Sequence, residues 1–198
     1  MSDLEAFWHN ESIAVPELIR IAISHYQFET IHPFLDGNGR IGRLLIALYL
    51  VSKGLLHRPC LYVSAHLEKQ RAAYYDALTG VRTRGDLAHW VRFFLVAINE
   101  TAKKGVRTFQ SIHRLRQGVT AQVQTLGRRA PNAHRVIESL YSKPVTTSGS
   151  LSTRLGLSQA TTDRILADLQ QLGIVSEMTG QRRNRVFYFR EYYSLFLE

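Results

Sequence analysis

The chain has 198 residues, of which 45% are apolar and 21% are charged, with 25 Lys and Arg against 16 Asp and Glu. That balance is typical of a globular protein, and it excludes a disordered tail, a collagen-like fibre and a bundle of membrane-spanning helices. At roughly 150 residues per domain, the length is sufficient for one large domain or for a domain and a half.

The net charge of +9 is confined to one half of the sequence. Residues 1–100 hold 10 basic and 10 acidic residues, whereas residues 101–198 hold 15 basic and 6 acidic residues. This asymmetry indicates that the second half meets an anionic partner such as nucleic acid. A basic surface without a specific partner is the alternative interpretation.

The cysteine content and the first residues predict a cytosolic protein. The single cysteine, Cys60, cannot form an internal disulfide, and we interpret it as a small apolar filler rather than a nucleophile. The first five residues lack the basic start and apolar core of a signal peptide. The longest unbroken apolar run, residues 44–51, is too short to cross a bilayer.

The first half begins with two predicted helices joined by a loop. Apolar spacing predicts a helix over residues 14–30, which ends before Pro33 because a residue that precedes proline is pushed out of the helical region. A second helix, from Gly39 to Lys53, is apolar almost all round, so we expect it to be central and buried. Residues 33–39 form the loop between them.

Two further helices are predicted in the first half. Ser64 can cap a third helix that runs to about Thr79. Asp86 can cap a fourth, whose apolar face includes Trp90 and Phe94.

An amphipathic helix and a linker are predicted to divide the chain. Beyond Glu100, apolar residues recur every three or four positions as far as Leu126, and this stripe packs on the first domain or pairs two chains in a homodimer. The Gly- and Arg-containing residues 127–132 are the predicted linker, which gives domains of residues 1–126 and 127–198.

The run Asp-Gly-Asn-Gly-Arg-Ile-Gly-Arg at residues 36–43 carries the clearest chemical signal. Arg40 and Arg43 lie on one face of the helix start, where the macrodipole is already positive, so they cost stability unless an anion is nearby. Gly37 and Gly39 allow successive backbone N–H groups to point outward and form a nest for phosphate oxygens. A turn with two solvated arginines would explain the glycines but not the paired arginines.

Two more side chains complete a candidate polyphosphate site. Asp36 is a natural Mg²⁺ ligand beside phosphates, because this ion prefers one or two carboxylates plus phosphate oxygens. His32, at the entrance of the loop, can act as a general base, since a histidine side chain titrates near neutrality.

The whole run His-Pro-Phe-Leu-Asp-Gly-Asn-Gly-Arg-Ile-Gly-Arg at residues 32–43 resembles the signature of Fic proteins, and every specified position of that signature is present. The resemblance extends more loosely from about Asp3 to Ala102 and includes His-Tyr-Gln-Phe-Glu at residues 25–29. It implies a mainly α fold with a Fic-type helical core.

The resemblance also implies an activity, the transfer of AMP from ATP to a Ser, Thr or Tyr hydroxyl of a target protein. By this resemblance His32 deprotonates the hydroxyl, and Asp36 holds Mg²⁺ across the α- and β-phosphates. The phosphates are bound by the backbone N–H groups of Gly37, Asn38 and Gly39 and by the side chains of Arg40 and Arg43. Positioning and charge stabilisation of this kind supply most of the acceleration in phosphoryl-type transfer.

Tyr74 and Tyr75 match a tyrosine pair that contributes to the adenine pocket in Fic relatives, and core aromatics are the alternative interpretation. The β-hairpin flap and the inhibitory helix of related proteins are not recognisable in this sequence. Without an inhibitory glutamate to pair with Arg43, we expect nucleotide binding to be constitutive.

The basic half resembles a winged helix-turn-helix, a small α+β domain. Residues 151–172 read as helix, tight turn and helix, with Ser158 capping the second helix, and residues 173–189 read as a hairpin. Residues 146–150 read as a polar loop. By this resemblance the exposed helix start meets DNA bases through Gln159, Thr161, Thr162 and Arg164, and the wing meets phosphates through Arg182, Arg183 and Arg185.

Three other interpretations stay open. A winged helix also serves as a protein-docking or dimerisation module. A Fic core without its flap is alternatively a catalytically impaired regulator or DNA-binding module. Some Fic relatives transfer phosphate or phosphocholine instead of AMP, although the intact Arg43 favours the usual ATP orientation.

Overall fold

A computed structural model describes residues 1–181 and 185–196 of the chain. These residues form mainly helices, with one small antiparallel sheet. They divide into two compact units, Met1–Val106 and Arg107–Glu198. No helix in the described part of the chain is both long enough and apolar enough to cross a membrane.

The first unit is entirely helical in its described elements and is built around one aromatic core. Its elements are α1 (Ser2–His9), α2 (Glu17–Ile31), α3 (Asn38–Ser52), α4 (Val63–Lys69), α5 (Arg71–Arg84) and the first part of α6 (Leu87–Gln124). Trp90 and Phe94 of α6 are fully buried between Ile21 of α2 and Ile46 of α3. The predicted burial of α3 holds for one face only: Ile46 and Leu50 are buried, whereas Leu44 and Leu48 are 54% and 47% exposed, so the expectation of a helix buried all round is wrong.

The third predicted helix is two helices in the structure. Tyr62, not Ser64, is the N-cap of α4. The helical conformation is interrupted at Gln70, which is the C-cap of α4 and the N-cap of α5. The prediction failed because the Ser64 hydroxyl has another role: it accepts a hydrogen bond from Arg43 Nε at 3.1 Å. Asp86 does cap α6, since its Oδ1 accepts from the His89 N–H at 3.0 Å.

The fourth predicted helix and the amphipathic helix are one continuous element, α6, which begins in the first unit and ends in the second. In the sequence, the boundary between the two units falls after Val106, whereas the predicted domain boundary falls between residues 126 and 127. The predicted linker, residues 127–132, forms the 3-10 turn Gly127–Arg129 and the start of the next helix. Pro131 is compatible with that helix start because a first-turn residue needs no N–H partner.

In its described residues, the second unit combines the last part of α6 and four further α-helices with a three-stranded sheet. After the last part of α6 come α7 (Ala130–Ser142), β1 (Val145–Thr147), α8 (Ser148–Leu155), α9 (Gln159–Gln171), β2 (Val175–Glu177), β3 (Val186–Phe189) and the short α10 (Arg190–Ser194). The strand order is β1-β3-β2, and both pairings are antiparallel. The predicted helix, turn and helix and the predicted strand pair are present.

The core of the second unit lies between its helices and the sheet. Phe187 and Phe189 of β3 are buried against Leu140, Leu151 and Leu166 of the helices. The predicted polar loop at residues 146–150 is wrong, because this segment contains most of β1 and the start of α8. Its short polar sequence becomes a strand only by pairing with β3.

Candidate active site

His32 stands at the exposed end of α2, where the helix reverses into the loop. It adopts a left-handed backbone with φ of 50°, and its N–H donates to the Phe28 carbonyl at 3.0 Å. Among the residues that the structure describes, His32 is the only non-glycine residue with a positive φ angle. Such a conformation persists only where the surroundings enforce it, and here it turns the chain sharply toward α3.

Asn38 holds the loop in place. Its Oδ1 accepts from the Phe34 N–H at 2.9 Å, and its Nδ2 donates to the Phe34 carbonyl at 2.6 Å. The side chain is buried, with 2% of the residue exposed. Asn38 therefore contributes its backbone to the helix start and its amide group to the shape of the loop that carries His32.

The first turn of α3 directs its backbone N–H groups out of the helix. Gly37 is the N-cap residue with a left-handed φ of 84°, and no side-chain cap is found for α3 among the described residues. The first bond of the helix joins the Ile41 N–H to the Gly37 carbonyl at 3.0 Å. The N–H groups of residues 37–40 precede this bond and concentrate positive charge, which is the arrangement that binds phosphate oxygens.

The two arginines of the motif are held differently. Arg40 forms an exposed ion pair with Asp36, with 3.3 Å between Nη2 and Oδ2. Arg43 is half-buried, and its Nε donates to the Ser64 hydroxyl. A Cβ at Gly39 would lie 3.1 Å from Arg43 Nη1, so the missing side chain at Gly39 makes room for the guanidinium.

Asp36 is the candidate magnesium ligand, and its side chain is 92% exposed. Within residues 1–181 and 185–196, no group of three or more His, Cys, Asp or Glu side chains could hold a metal ion. A single exposed carboxylate beside a phosphate nest is nevertheless a suitable donor set for Mg²⁺ that arrives with a nucleotide. The residues present fit a nucleotide-bound ion rather than a resident one.

A buried polar pair, His25 and Tyr74, lies behind the second turn of α3. His25 Nδ1 is 3.1 Å from the Gly42 carbonyl, and Nε2 is 3.0 Å from the Tyr74 hydroxyl. Because a carbonyl only accepts, Nδ1 carries the proton and donates, and Nε2 accepts from the tyrosine. Burial lowers the pKa of His25 to about 4, so the ring is neutral at pH 7.

Glu29 is a partly buried ionisable group near the site, and its Oε1 atom is enclosed. Its Oε1 lies 3.9 Å from His25 Nε2, and in the described part of the chain no group donates a hydrogen bond to this oxygen. Burial raises the pKa of the Glu29 carboxyl, and the positive charges of Arg43 and His32 partly oppose that effect. A Cβ at Gly42 would lie only 2.5 Å from Oε1, so the glycine makes room for this carboxyl.

The two tyrosines of the predicted adenine pocket have different environments. Tyr74 is buried and bonded to His25, whereas Tyr75 is 53% exposed. Their ring centroids are 5.2 Å apart, and the Arg71 guanidinium lies 5.8 Å from the Tyr75 centroid. Of the pair, Tyr75 offers an accessible ring face, while Tyr74 supports it from the core.

Sequence reasoning missed the contacts that organise the site from behind. The apolar spacing of α2 placed His25 on the buried face, but its partner Tyr74 is 49 residues away in the sequence. Ser64, which the sequence predicts as a helix cap, accepts a hydrogen bond from Arg43 instead. The only early signal was the position of His25 on an otherwise apolar helix face.

The predicted base-reading residues of the second unit occupy the first turns of α9. Gln159 and Arg164 are exposed, and Thr161 is half-buried. The predicted exposure of Thr162 is wrong. This residue is fully buried because its position on α9 turns it toward the core of the second unit, and its hydroxyl donates to the Ser158 carbonyl. Arg185 is exposed and its guanidinium lies 5.1 Å from the Phe187 ring centroid. Arg182 and Arg183 lie outside the described residues.

Comparison with known sequences agrees with the motif. Residues 1–50 match the family model of the Fic/DOC family. Over 94 residues, this chain is 36% identical to protein adenylyltransferase fic-1 of Caenorhabditis briggsae. Over 95 residues, it is 38% identical to protein adenylyltransferase Fic of Culex quinquefasciatus. Each match covers 47% of this chain and spans 17% of the relative's length.

A solved structure is similar over nearly the whole chain. The crystal structure of a Fic family protein from Desulfovibrio desulfuricans G20 superposes with a TM-score of 0.51 and 26% sequence identity. The similarity covers 95% of this chain and 53% of that protein. Together, the family match at residues 1–50 and this structural neighbour support a Fic/DOC domain in the chain.

Proposed function

We propose that the chain is a Fic-type protein adenylyltransferase, which transfers AMP from ATP to a Ser, Thr or Tyr hydroxyl of a target protein. The observation that carries the proposal is the start of α3, where outward N–H groups of residues 37–40 lie next to Arg40, Arg43 and Asp36. The names of the related adenylyltransferases support it.

In the proposed mechanism His32 accepts the proton of the target hydroxyl. The hydroxyl oxygen then bonds to the α-phosphorus of ATP, the bond to the bridging oxygen breaks, and pyrophosphate leaves. The helix start and Arg40 bind the phosphate oxygens, and Asp36 would hold a Mg²⁺ ion that neutralises phosphate charge. Asn38 keeps the His32 loop in position through its two bonds to Phe34.

A comparison of the chain with its His32→Ala variant tests this activity. Both are incubated with α-³²P-labelled ATP, Mg²⁺ and cell lysate, and His89→Ala serves as a control because this histidine is exposed on α6. We expect labelled protein with the wild type and the control but not with His32→Ala. Label that persists in His32→Ala, or is absent from every sample, would contradict the proposal.

Two further measurements, labelling from γ-³²P-labelled ATP and ATP binding, separate the other candidate activities. Label from γ-³²P-labelled ATP but not from α-labelled ATP would assign phosphate transfer. Binding of ATP without any label transfer would assign a catalytically impaired regulator.

We also propose that Arg43 binds a phosphate of the nucleotide. The described partner of Arg43 is the neutral Ser64 hydroxyl, so the guanidinium charge is available to a phosphate. Isothermal titration with ATP and Mg²⁺ tests this, and heat no greater than that of Arg43→Ala would contradict it.

A second proposed function is DNA binding by the second unit as a winged helix-turn-helix. Residues 107–198 hold 13 basic and 6 acidic residues, and the exposed start of α9 follows the tight turn after α8. Titration of the full chain into a fluorescent DNA duplex should give an affinity that falls steeply with salt. Binding that is absent or independent of salt would favour a docking or dimerisation module instead.

A further inference from the structure

Three polar side chains join the start of α8 to the first turns of α9. The Ser148 hydroxyl donates to Asp163 Oδ1 at 2.5 Å. Gln159 Nε2 donates to Ser148 Oγ at 2.7 Å and lies 3.2 and 3.3 Å from the two carboxylate oxygens of Asp163. Gln159 is the first residue of α9, and Asp163 lies one turn later on the same face.

This network fixes the orientation of the Gln159 amide. A carboxylate has only acceptor oxygens, so the amide atom that faces Asp163 must be the NH₂ group. The Ser148 hydroxyl gives its proton to Asp163 and therefore also faces Gln159 as an acceptor. The amide oxygen, on the opposite branch of the planar group, is left on the solvent side of this exposed residue.

We propose that Gln159 selects a base that offers an amino group in the major groove, either adenine through N6 or cytosine through N4. This inference rests on the proposed DNA binding by the second unit. Guanine and thymine present acceptors at the corresponding groove positions, so an outward carbonyl oxygen repels them. A free glutamine would instead present both a donor and an acceptor.

The surroundings of the amide strengthen this selection. The Asp163 carboxylate lies directly behind the amide and adds negative charge, which attracts amino groups and disfavours acceptor atoms. The neighbouring hydroxyls of Ser158 and Thr161 bond to each other at 2.8 Å within the helix cap. Gln159 carries the amide group of this first turn, and its outward oxygen is the acceptor to which we assign base selection.

Selection from a random duplex library by the full chain tests the proposal. The wild type should enrich adenine or cytosine at one position of the recovered site, with roughly fivefold to tenfold discrimination against guanine and thymine. Replacing the selected adenine by unsubstituted purine, or the selected cytosine by 2-pyrimidinone, deletes only the amino group. That change should weaken binding by a similar factor.

Two variants separate base selection from general DNA binding. Gln159→Ala should lose the preference at that position, and the double variant Ser148→Ala/Asp163→Ala should relax it because the amide is free to turn. Both should retain the salt dependence of the wild type and its far-UV circular dichroism. An unchanged base preference in either folded variant, or no base preference in a wild type that binds DNA, would overturn this inference but leave the proposed DNA binding in place. Absence of salt-dependent DNA binding would overturn the proposed DNA-binding function and the inference with it.

Discussion

At the scale of single residues, a neutral histidine connects the core to the candidate phosphate site. His25 is enclosed by Trp90, Phe94 and Tyr74, with its ring nearly parallel to Trp90 at 6.0 Å between centroids. Its Nδ1–H supports the Gly42 carbonyl in the second turn of α3. A charged ring in this environment would lose its acceptor function toward Tyr74, and the nearest carboxylate oxygen, Glu29 Oε1, lies 3.9 Å from Nε2, beyond hydrogen-bond distance.

Acid should therefore destabilise the first unit through His25. The unfolded chain takes up a proton below the ordinary pKa of 6.5, whereas the folded chain does so only near its lowered pKa of about 4. The contribution of His25 to stability is thus present above pH 6.5 and is lost as the pH falls below it, by up to about 1.4 kcal/mol per pH unit. Between about pH 7 and pH 5, we expect a loss of roughly 2 kcal/mol.

Urea unfolding followed by tryptophan fluorescence measures this effect. Trp8 and Trp90, the two tryptophans of the chain, both belong to the first unit, so the signal reports on that unit. The variant His25→Gln keeps a donor and an acceptor but does not titrate, and its stability should be nearly independent of pH in this window. Equal pH dependence in the wild type and in His25→Gln would refute the assignment.

The close approach of Glu29 to α3 predicts that Gly42 does not tolerate a side chain. A Cβ at this position would lie 2.5 Å from Glu29 Oε1 and 3.2 Å from His25 Cε1. We expect Gly42→Ala to lower the free energy of unfolding by about 1–2 kcal/mol, despite the helix propensity of alanine. Gly105→Ala is the matched control, because a Cβ there meets nothing within 4 Å, and it should be more stable than wild type by up to about 1 kcal/mol.

The same fluorescence unfolding experiment compares the two glycine variants. Similar stabilities for Gly42→Ala and Gly105→Ala would mean that Glu29 moves aside without cost.

The residue motif at positions 32–43 could be interpreted from sequence because its members are neighbours in the chain. Gly37 adopts the positive φ that the predicted nest requires, and Arg40 lies beside Asp36. The supporting contacts could not be predicted, because Arg43 meets Ser64 across 21 positions and His25 meets Tyr74 across 49. Such pairs depend on how the helices pack, which local periodicity does not encode.

At the scale of secondary structure, helices defined by local signals were predicted well. The helices α2 and α3 lie within a few residues of their predicted bounds, because their limits depend on Pro33 and on the glycine turn. Three elements were wrong where tertiary contacts overrule propensity: α4 and α5 are separate, α6 runs without interruption through Glu100, and β1 forms by pairing with β3.

The cap of α9 is a local signal with a measurable effect. Ser158 Oγ accepts from the Thr161 N–H at 3.2 Å, and the two hydroxyls also bond to each other. Ser158→Ala removes this acceptor and should lower stability by about 1 kcal/mol, whereas Ser158→Asp should retain most of it. Thermal unfolding followed by far-UV circular dichroism measures the difference, and Ser142→Ala, at the exposed end of α7, is the control. Indistinguishable behaviour of Ser158→Ala and Ser142→Ala would show that the cap contributes nothing.

At the scale of the whole molecule, charge is divided between the two compact units. The first unit holds 12 basic and 10 acidic residues, and the second holds 13 and 6. The proposed phosphate site thus belongs to the nearly neutral unit, so its affinity for ATP depends on local geometry rather than on a general positive field. The basic unit is the part whose interactions should respond to salt.

Salt dependence therefore distinguishes an anion-binding surface from a merely basic one. If α9 lies against DNA, the exposed Arg164 neutralises about one phosphate, and Arg164→Gln should reduce the slope of log K against log salt by about one. Arg82→Gln, on an exposed arginine of the first unit, removes the same charge and should leave the slope unchanged. Fluorescence anisotropy with one duplex at several salt concentrations gives both slopes. Equal slopes for the two variants would mean that net charge, rather than contact through α9, determines the affinity.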